Sequence, residues 1–167
     1  MNMINRFVPG PDTAKDFRTA LSRFATGVTV VTCQSERGPL GITANSFSSV
    51  SLDPPLVLWS PAKSSSRHDP FVAAENFVIH VLSAEQQDVC RRFTKDGLDF
   101  DGLHVEQTAN GAPLISGCLA HFECTRFAAH DAGDHTIVIG QVEYVAATHA
   151  TPLIFSGGVM GHFTTGH

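Results

Sequence analysis

The sequence is short of charged residues, and basic residues are the scarcer kind. Charged side chains make up 16% of the 167 residues, and 11 Lys and Arg against 16 Asp and Glu leave a formal net charge of −5. A nucleic-acid binder usually carries a basic face, so this balance argues against that class. The low charge beside 43% hydrophobic residues also argues against a disordered chain. We therefore expect one folded domain over residues 1–167.

Cysteine is sparse, and the closely spaced pairs that mark metal and redox sites are missing. Cys33, Cys90, Cys118 and Cys124 form no CxxC, which excludes a zinc ribbon or a thioredoxin-type site. The sequence also lacks an apolar run long enough to span a membrane, and its N-terminus lacks the apolar run of a signal peptide. These absences predict a cytoplasmic protein with reduced, mostly buried thiols and no membrane partner.

Several common catalytic motifs are absent or incomplete. No GxGxxG, GxxxxGK or HExxH occurs. Ser60 and Lys63 match the S-x-x-K of penicillin-recognising enzymes, but the S-D-N and K-T-G elements of those enzymes are missing. The nine histidines form no i, i+4 pair on a predicted helix, so we expect no metal site.

The patterns that are present favour β-structure with a few helices. Strands are predicted at 28–33, from 41 up to Pro54-Pro55, and at 56–60, 77–83, 119–130, 135–148 and 152–155. The turn at 131–134 predicts that two of these strands form a long hairpin. Because strands and helices do not alternate regularly, we expect an antiparallel barrel or sandwich whose ends are covered by helices.

Two helices are predicted from apolar residues spaced three and four apart. The first covers residues 12–26, with Phe17, Leu21 and Phe24 on its apolar face. The second covers 84–95, with Val89, Cys90 and Phe93 on its inner side. It begins after Ser83, a residue type that often caps helices.

The stretch GITANSFSSVSLDPP at 41–55 is unusually rich in hydroxyl groups. If the strand continues through it, Thr43, Asn45 and Phe47 share one face, and Ala44 and Ser46 share the other. Thr, Asn and Ser can bond the edge of a polar heterocycle such as an isoalloxazine, and Ala44 would let a flat ring approach the backbone. An exposed edge strand whose hydroxyls face water is the alternative, and the spacing alone does not choose between the two.

A polar loop at 61–70 follows one short strand later. It holds the run Lys63-Ser64-Ser65-Ser66-Arg67, in which a cation flanks the hydroxyls on each side. A phosphate needs such a set of donors. Runs of this kind are more often solvated loops, but its place beside the hydroxyl-rich stretch favours a joint site.

The third candidate element is Gly133-Asp134-His135, at the turn of the predicted hairpin. Gly133 suits a turn position with positive φ. His135 begins the returning strand, where it could stack on a nicotinamide, bond to it, or donate a proton to reduced flavin. The alternative is an ordinary surface histidine at the end of a hairpin.

Together these segments resemble the short-chain flavin reductases, which are the NAD(P)H-dependent components of two-component flavin monooxygenases. The resemblance runs from about residue 13 to 163 and rests on RFATGVTVVT (23–32), GITANSFSSVSLDPPL (41–56), KSSS (63–66), NFVIHVLS (76–83), RRF (91–93), GDH (133–135) and PLIF (152–155). It implies an FMN-binding, antiparallel split β-barrel with flanking helices. It also implies a homodimer, with flavin near the dimer interface.

The resemblance further implies roles for individual residues. Thr43, Ala44, Asn45 and Ser46 would contact the isoalloxazine ring, and His135 would face the nicotinamide as the catalytic residue. The flavin tail would lie along Ser51, Trp59, Ser60, Lys63, Ser64, Ser66 and Arg92. Relatives often carry a basic or aromatic residue where this chain has Val159 and Met160, and His162 or Phe163 would substitute for it on the nicotinamide side.

The activity that the resemblance implies is hydride transfer from NADH or NADPH to FMN or FAD. Reduced flavin would then pass to a partner monooxygenase. An oxidase of the pyridoxamine-phosphate type also uses a split barrel, but TANSF and GDH argue against it. A non-catalytic flavin- or haem-binding module stays open, because its hydroxyl-rich site would look the same.

Overall fold

Seven antiparallel strands form the main sheet of the computed structural model, which describes residues 6–166. In chain order its strands are β2 (Thr29–Ser35), β3 (Gly38–Ala44), β4 (Ser48–Leu52), β5 (Pro55–Trp59), β6 (Asn76–Val81), β9 (Ala120–Ala132) and β10 (His135–Ala147). Across the sheet they lie in the order β3-β2-β6-β9-β10-β5-β4. Residues 1–5 lie outside the described part, and with them part of the segment on which the signal-peptide prediction rests.

Two smaller sheets, three α-helices and a short 3₁₀ helix (Pro11–Thr13) complete the fold within residues 6–166. β1 (Thr26–Gly27) pairs with β11 (Leu153–Ser156), which pairs with β12 (Val159–His162), while β7 (Val105–Gln107) pairs with β8 (Pro113–Ile115). The helices are α1 (Ala14–Leu21), α2 (His68–Ala73) and α3 (Gln87–Lys95). No helix within residues 6–166 is long and apolar enough to cross a membrane.

The main sheet curls until both of its ends share one core. Val31 of β2 and Trp59 of β5 are near opposite ends of the strand order, yet they belong to one cluster of buried side chains. Trp59 packs edge-on against Phe71 of α2, with ring centroids 5.1 Å apart, and lies 6.4 Å from the ring of Phe77. This shared interior confirms the predicted antiparallel barrel, and the fully buried Trp59 lies within it.

A second core lies on the opposite face of β2, under α3. Neighbouring residues of a strand face opposite sides, so Val30 packs away from Val31 and contacts this second cluster. α3 contributes Val89, Cys90 and Phe93 to it, as its predicted inner side requires. α3 approaches β3 so closely that a Cβ at Gly41 would lie 2.5 Å from the Phe93 ring, so this position requires glycine.

The long hairpin is confirmed, and the second helix ends at Lys95 as predicted, but its predicted start is wrong. β9 and β10 have 13 residues each and pair from His135↔Ala132, with Gly133 at φ 68° in the turn. α3 begins at Gln87 rather than 84. Ser83 does not cap this helix, because the N-cap residue is Gln86. The Ser83 backbone N–H donates to the Gln86 side chain at 3.0 Å, and Ser83 bridges to Pro152.

The apolar face of α1 is exposed, and the helix is shorter than predicted. It ends at Leu21, and none of its residues is buried. Phe17 is 43% exposed, Leu21 57% and the following Phe24 80%. The pattern that predicts an inward face is real, but no described residue of the same chain covers that face.

The four cysteines are unpaired and buried, as the sequence predicts. Burial raises the pKa of Cys33 and of Cys124 to about 12. It also raises the pKa of Cys90 and of Cys118. All four thiols are therefore protonated at neutral pH.

His80 makes the stability of the fold depend on pH. Its Nε2 accepts the Ile115 N–H at 3.0 Å, so the ring carries its proton on Nδ1, which donates to the Val30 carbonyl at 3.0 Å. Complete burial, with a smaller contribution from the nearby His121, lowers the pKa of His80 to about 4. The folded protein thus holds a neutral imidazole where the unfolded chain would take up a proton.

We expect the free energy of unfolding to fall as pH drops from 6.5 towards 4, because there the unfolded chain binds a proton that folded His80 does not. The full loss through this group is about 3 kcal/mol, of which about 2 kcal/mol falls between pH 7 and pH 5. Urea denaturation at these two pH values measures the second quantity. The drop should shrink in His80→Gln and persist in His149→Gln, which changes an exposed histidine. Equal pH dependence in all three proteins would contradict the role of His80.

Candidate active site

The serine loop and the hairpin turn, which are far apart in sequence, meet in the structure. The backbone N–H of Lys63 donates to the Asp134 carbonyl at 2.8 Å. The Lys63 ammonium donates to the Gly133 carbonyl at 2.6 Å and also pairs with Asp131. Ala62 forms a bridge with His135. Two of the three elements predicted to form the site are therefore adjacent.

The hydroxyl-rich stretch joins the same region, but not as one continuous strand. β3 ends at Ala44, and residues 45–47 leave the sheet before β4 begins. The Ser46 hydroxyl accepts the backbone N–H of Ser60 at 2.9 Å, which ties this break to the start of the serine loop. The predicted alternation past Ala44 is therefore wrong, since Asn45 is an exposed residue of a loop.

Thr43 makes a contact that strand alternation did not predict. Its hydroxyl donates to the Cys90 carbonyl of α3 at 2.7 Å, which turns this group towards the helix. The backbone beside it is fixed as well, because the Thr29 hydroxyl donates to the Ala44 carbonyl at 2.6 Å. A planar ring at this wall would therefore meet the small Ala44 and the exposed Asn45 rather than the Thr43 hydroxyl.

The serine loop offers hydroxyls rather than free cations. Ser64 and Ser66 are exposed, and their hydroxyls make no hydrogen bond with any described residue. The Ser65 hydroxyl accepts the Arg67 N–H at 3.2 Å. Lys63, the first of the two cations that flank the serines, is engaged by the hairpin turn.

Arg67 has a structural role on the second side. Its guanidinium donates to the carbonyls of Gly41 at 3.0 Å, Phe93 at 2.6 Å and Thr94 at 3.3 Å. Burial lowers the pKa of Arg67, and the nearby Asp96 opposes that shift. The guanidinium holds the serine loop against β3 and the end of α3, so it is not free to bind a phosphate.

Two of the residues assigned to the flavin tail serve the fold instead. The Trp59 indole is fully buried in the barrel, so the prediction that it lies along a bound tail is wrong for its side chain. Arg92 donates to Asp99 at 3.1 Å and to the Asp101 carbonyl, which anchors the loop after α3. Ser51 is partly exposed on the edge strand β4.

His135 is the first residue of β10, and its imidazole is 43% exposed. Its Nδ1 lies 2.7 Å from the Asp134 carboxylate. This hydrogen bond holds the pKa of the Asp134 carboxyl below its usual value. The ionised carboxylate favours a proton on Nδ1 and fixes the direction of the ring. His162 is the last residue of β12, and Phe163 follows it. Both are exposed.

His68, which no sequence pattern indicated, lies next to the strand that begins at His135. Its Nε2 is 2.8 Å from the Thr136 hydroxyl, and its Nδ1 is 2.7 Å from Asp69. Thr136 follows His135 directly, so His68 fixes the start of α2 against the strand that carries the candidate catalytic residue. No local pattern could reveal this contact, because it joins residues 68 positions apart.

A cleft of about 800 Å³ lies on the other side of the serine loop. It is bounded by the β2–β3 turn, α2 and the segment after α3. Ser66 is the member of the predicted site that lines it. Asn45 and Ser64 are exposed outside this cleft.

The sequence is similar to proteins of one family along most of its length. The family model for the flavin reductase like domain matches residues 21–164. The FMN reductase (NADH) SmoA of Agrobacterium fabrum is 58% identical over 158 residues, which cover 95% of this chain and 91% of that protein. Subunit HsaB of Mycobacterium tuberculosis, the reductase subunit of a flavin-dependent monooxygenase, is 39% identical over 148 residues, covering 86% and 79%.

The fold also matches a solved structure along nearly its whole length. The NADH:FAD oxidoreductase SgcE6 of Streptomyces globisporus superposes with a TM-score of 0.89 at 36% identity, covering 99% of this chain and 96% of that one. A structure of SgcE6 in complex with NAD and FAD fragments gives a TM-score of 0.87 at 38% identity, covering 95% and 98%.

Proposed function

The chain belongs to the family of flavin reductase-like domains, and we propose that it uses NADH to reduce FMN or FAD and then releases the reduced flavin to a separate monooxygenase. One observation carries this proposal: three segments far apart in sequence meet at one surface. Ser46 bonds to Ser60, and Lys63 bonds to Gly133 and Asp134. The relatives named above are an FMN reductase, a monooxygenase reductase subunit and an NADH:FAD oxidoreductase.

The donors at this surface suit a flavin. Ala44 has a small side chain, and Asn45 presents an amide that can both donate and accept at a ring edge. The free hydroxyls of Ser64 and Ser66 can bind the flavin phosphate, and Lys63 lies beside them. Ser51 and Ser60 would lie along the ribityl chain between the ring and the phosphate.

The chain's own residues bind and orient, while the bound molecules supply the redox chemistry. A flavin accepts a hydride equivalent from reduced nicotinamide. His135 would lie on the nicotinamide side, where Asp134 fixes its tautomer and direction. His68 and Thr136 hold the strand that carries it. The exposed His162 and Phe163 would cover the nicotinamide from the C-terminal strand.

We further propose that the working form is a homodimer. Leu21 and Phe24 near the end of α1 are 57% and 80% exposed, and Leu52 of β4 is 95% exposed. Large apolar side chains that are exposed to this degree point to an interaction surface. Because Leu52 follows Ser51 on an edge strand, an interface that covers Leu52 would adjoin the flavin tail.

We place the reaction in the cytoplasm, where NADH is available. The four cysteines are unpaired, which suits a reducing compartment.

Purified protein should oxidise NADH when mixed with FMN or FAD. The measurement is the loss of NADH absorbance with FMN, FAD and riboflavin as acceptors, with NADPH as the second donor. Riboflavin should be the poorest acceptor, because it lacks the phosphate that Ser64 and Ser66 would bind. No oxidation with any pair would contradict the proposed reaction and favour a module that only holds flavin or haem.

His135→Ala should lower kcat roughly tenfold to a hundredfold and change the flavin Kd little, because His135 faces the donor rather than the flavin tail. Stopped-flow flavin reduction and flavin fluorescence titration measure the two quantities. His130→Ala, an exposed histidine of the same hairpin, is the matched control. An unchanged reduction rate in His135→Ala would show that the role assigned to His135 is wrong.

Phe24→Asp and Leu52→Asp should each shift the protein from dimer to monomer, because each buries a carboxylate in an apolar interface. Sedimentation velocity reports the mass, and circular dichroism shows that the variants stay folded. A wild-type protein that sediments as a monomer at micromolar concentration would exclude the proposed dimer.

A further inference from the structure

Arg67 and His68 are neighbours in the chain, and their side chains bond to different parts of the candidate site. The Arg67 guanidinium donates to the Gly41 carbonyl of β3 at 3.0 Å and to two carbonyls at the end of α3. The His68 imidazole lies 2.8 Å, through Nε2, from the hydroxyl of Thr136 on β10. The end of the serine loop is therefore connected both to β3 and to the strand that begins at His135.

The slot that holds the Arg67 side chain is closely fitted. A Cβ at Gly97 would lie 2.6 Å from the Arg67 side chain and 2.8 Å from the Gly41 carbonyl, so this position requires glycine. The Gly41 N–H donates to the Gly97 carbonyl at 2.8 Å, which joins the segment after α3 to β3. Hydrogen bonds donated by a charged group are stronger than those between neutral groups. The guanidinium therefore fixes the end of the serine loop at one distance from β3.

β3 does not depend on Arg67 for its own position. It pairs with β2 along its whole length, and the Thr29 hydroxyl donates to the Ala44 carbonyl at its end at 2.6 Å. The serine loop has less support, because Ser64 and Ser66 are exposed. Loss of the Arg67 side chain would therefore loosen the two serines and leave the end of β3 in place.

His68 is itself oriented by a second bond. Its Nδ1 lies 2.7 Å from the Asp69 carboxylate, which favours a proton on Nδ1 and leaves Nε2 to accept the Thr136 hydroxyl. The His68 side chain is 13% exposed and Thr136 is 8% exposed, so water competes little for this hydrogen bond. Because Thr136 follows His135 on β10, the bond acts on the strand that carries the candidate catalytic imidazole.

We propose that Arg67 and His68 are positioning residues with separate tasks. Arg67 holds the serine loop at a fixed distance from the end of β3, so that one flavin reaches both with its phosphate and its ring. It thereby sets the affinity for flavins that carry a phosphate. His68 holds the start of β10 and thereby sets the rate at which bound flavin is reduced. The proposal rests on the proposed function, because it requires the flavin phosphate at the serine loop and His135 beside the nicotinamide.

Fluorescence titration with FMN and with riboflavin tests the task of Arg67 without turnover. Arg67→Met should weaken FMN binding about tenfold, because the loosened loop must be ordered when the phosphate binds. Riboflavin lacks the phosphate, so its Kd should change less than about twofold. In turnover the KM for FMN should rise while kcat changes less than about twofold. Arg91→Met, which changes an exposed arginine of α3, is the matched control and should alter neither affinity.

His68→Leu should show the reverse pattern. The rate of flavin reduction in stopped flow should fall about fivefold to tenfold, since small misplacements of a reacting group are costly, and the FMN Kd should change less than about twofold. His68→Gln should recover most of the rate, because its amide oxygen can accept the Thr136 hydroxyl. Thr136→Val should be as slow as His68→Leu, and the double variant no slower, because both changes remove one hydrogen bond. His149→Leu, which changes an exposed histidine, is the matched control.

The two patterns must separate for the proposal to hold. Circular dichroism shows whether each variant is folded, and Arg67→Lys, which keeps a charge but not the planar set of donors, should weaken FMN binding by an intermediate amount if Arg67→Met does not fold. Variants that change affinity and rate together would show that the two residues only stabilise the fold, and would overturn the proposal.

The proposal and the proposed function can fail separately. Equal weakening of FMN and riboflavin in Arg67→Met, or a His68→Gln variant as slow as His68→Leu, would overturn the proposal even if the wild-type protein oxidises NADH normally. FMN binding that depends on Arg67, in a wild-type protein that oxidises no NADH, would support the task of Arg67 and contradict both the proposed reaction and the task of His68.

Discussion

The closure of the barrel around Trp59 is the constraint on which the site depends. Trp59 is completely buried and ends β5, so the chain that follows it starts from a fixed point. Ser60 then donates to Ser46, and Ala62 bridges to His135. These contacts extend the pairing of β5 with β10, in which Trp59 lies opposite Val138. The fully buried Trp59 thus helps to position the three segments that form the candidate site.

Arg67 divides the surface around the serine loop into two parts. Its bonds to carbonyls of β3 and α3 close one side of the loop, and Lys63 closes the other by bonding to the hairpin turn. The serine hydroxyls between them stay exposed. Both cations act on the protein itself, so the serine hydroxyls are held in place by charge without being charged. In the proposed site they would bind the flavin phosphate without a strong ionic contact, which would favour release of the flavin.

Local features were predictable from the sequence, and features that depend on distant contacts were not. The β9–β10 hairpin follows from two β-rich runs and a glycine turn, and the inner face of α3 follows from its periodicity. The break after Ala44 depends on the Ser46–Ser60 bond, and the roles of Arg67 and His68 depend on carbonyl and hydroxyl partners elsewhere in the chain. Trp59 was misassigned because its place in the motif suggested contact with flavin, whereas the closed barrel buries it. Periodicity found the apolar face of α1 but could not show that the chain leaves it exposed.

The burial of the four cysteines affects how well the protein resists oxidation. Reduced flavin that escapes into aerated solution reacts with dioxygen and generates hydrogen peroxide, so the protein is exposed to an oxidant of its own making. Peroxide attacks the thiolate form of accessible cysteines. Here the thiols are enclosed, and burial raises the pKa of Cys33 and Cys124 to about 12. Burial in the two cores therefore protects the four cysteine thiols against hydrogen peroxide.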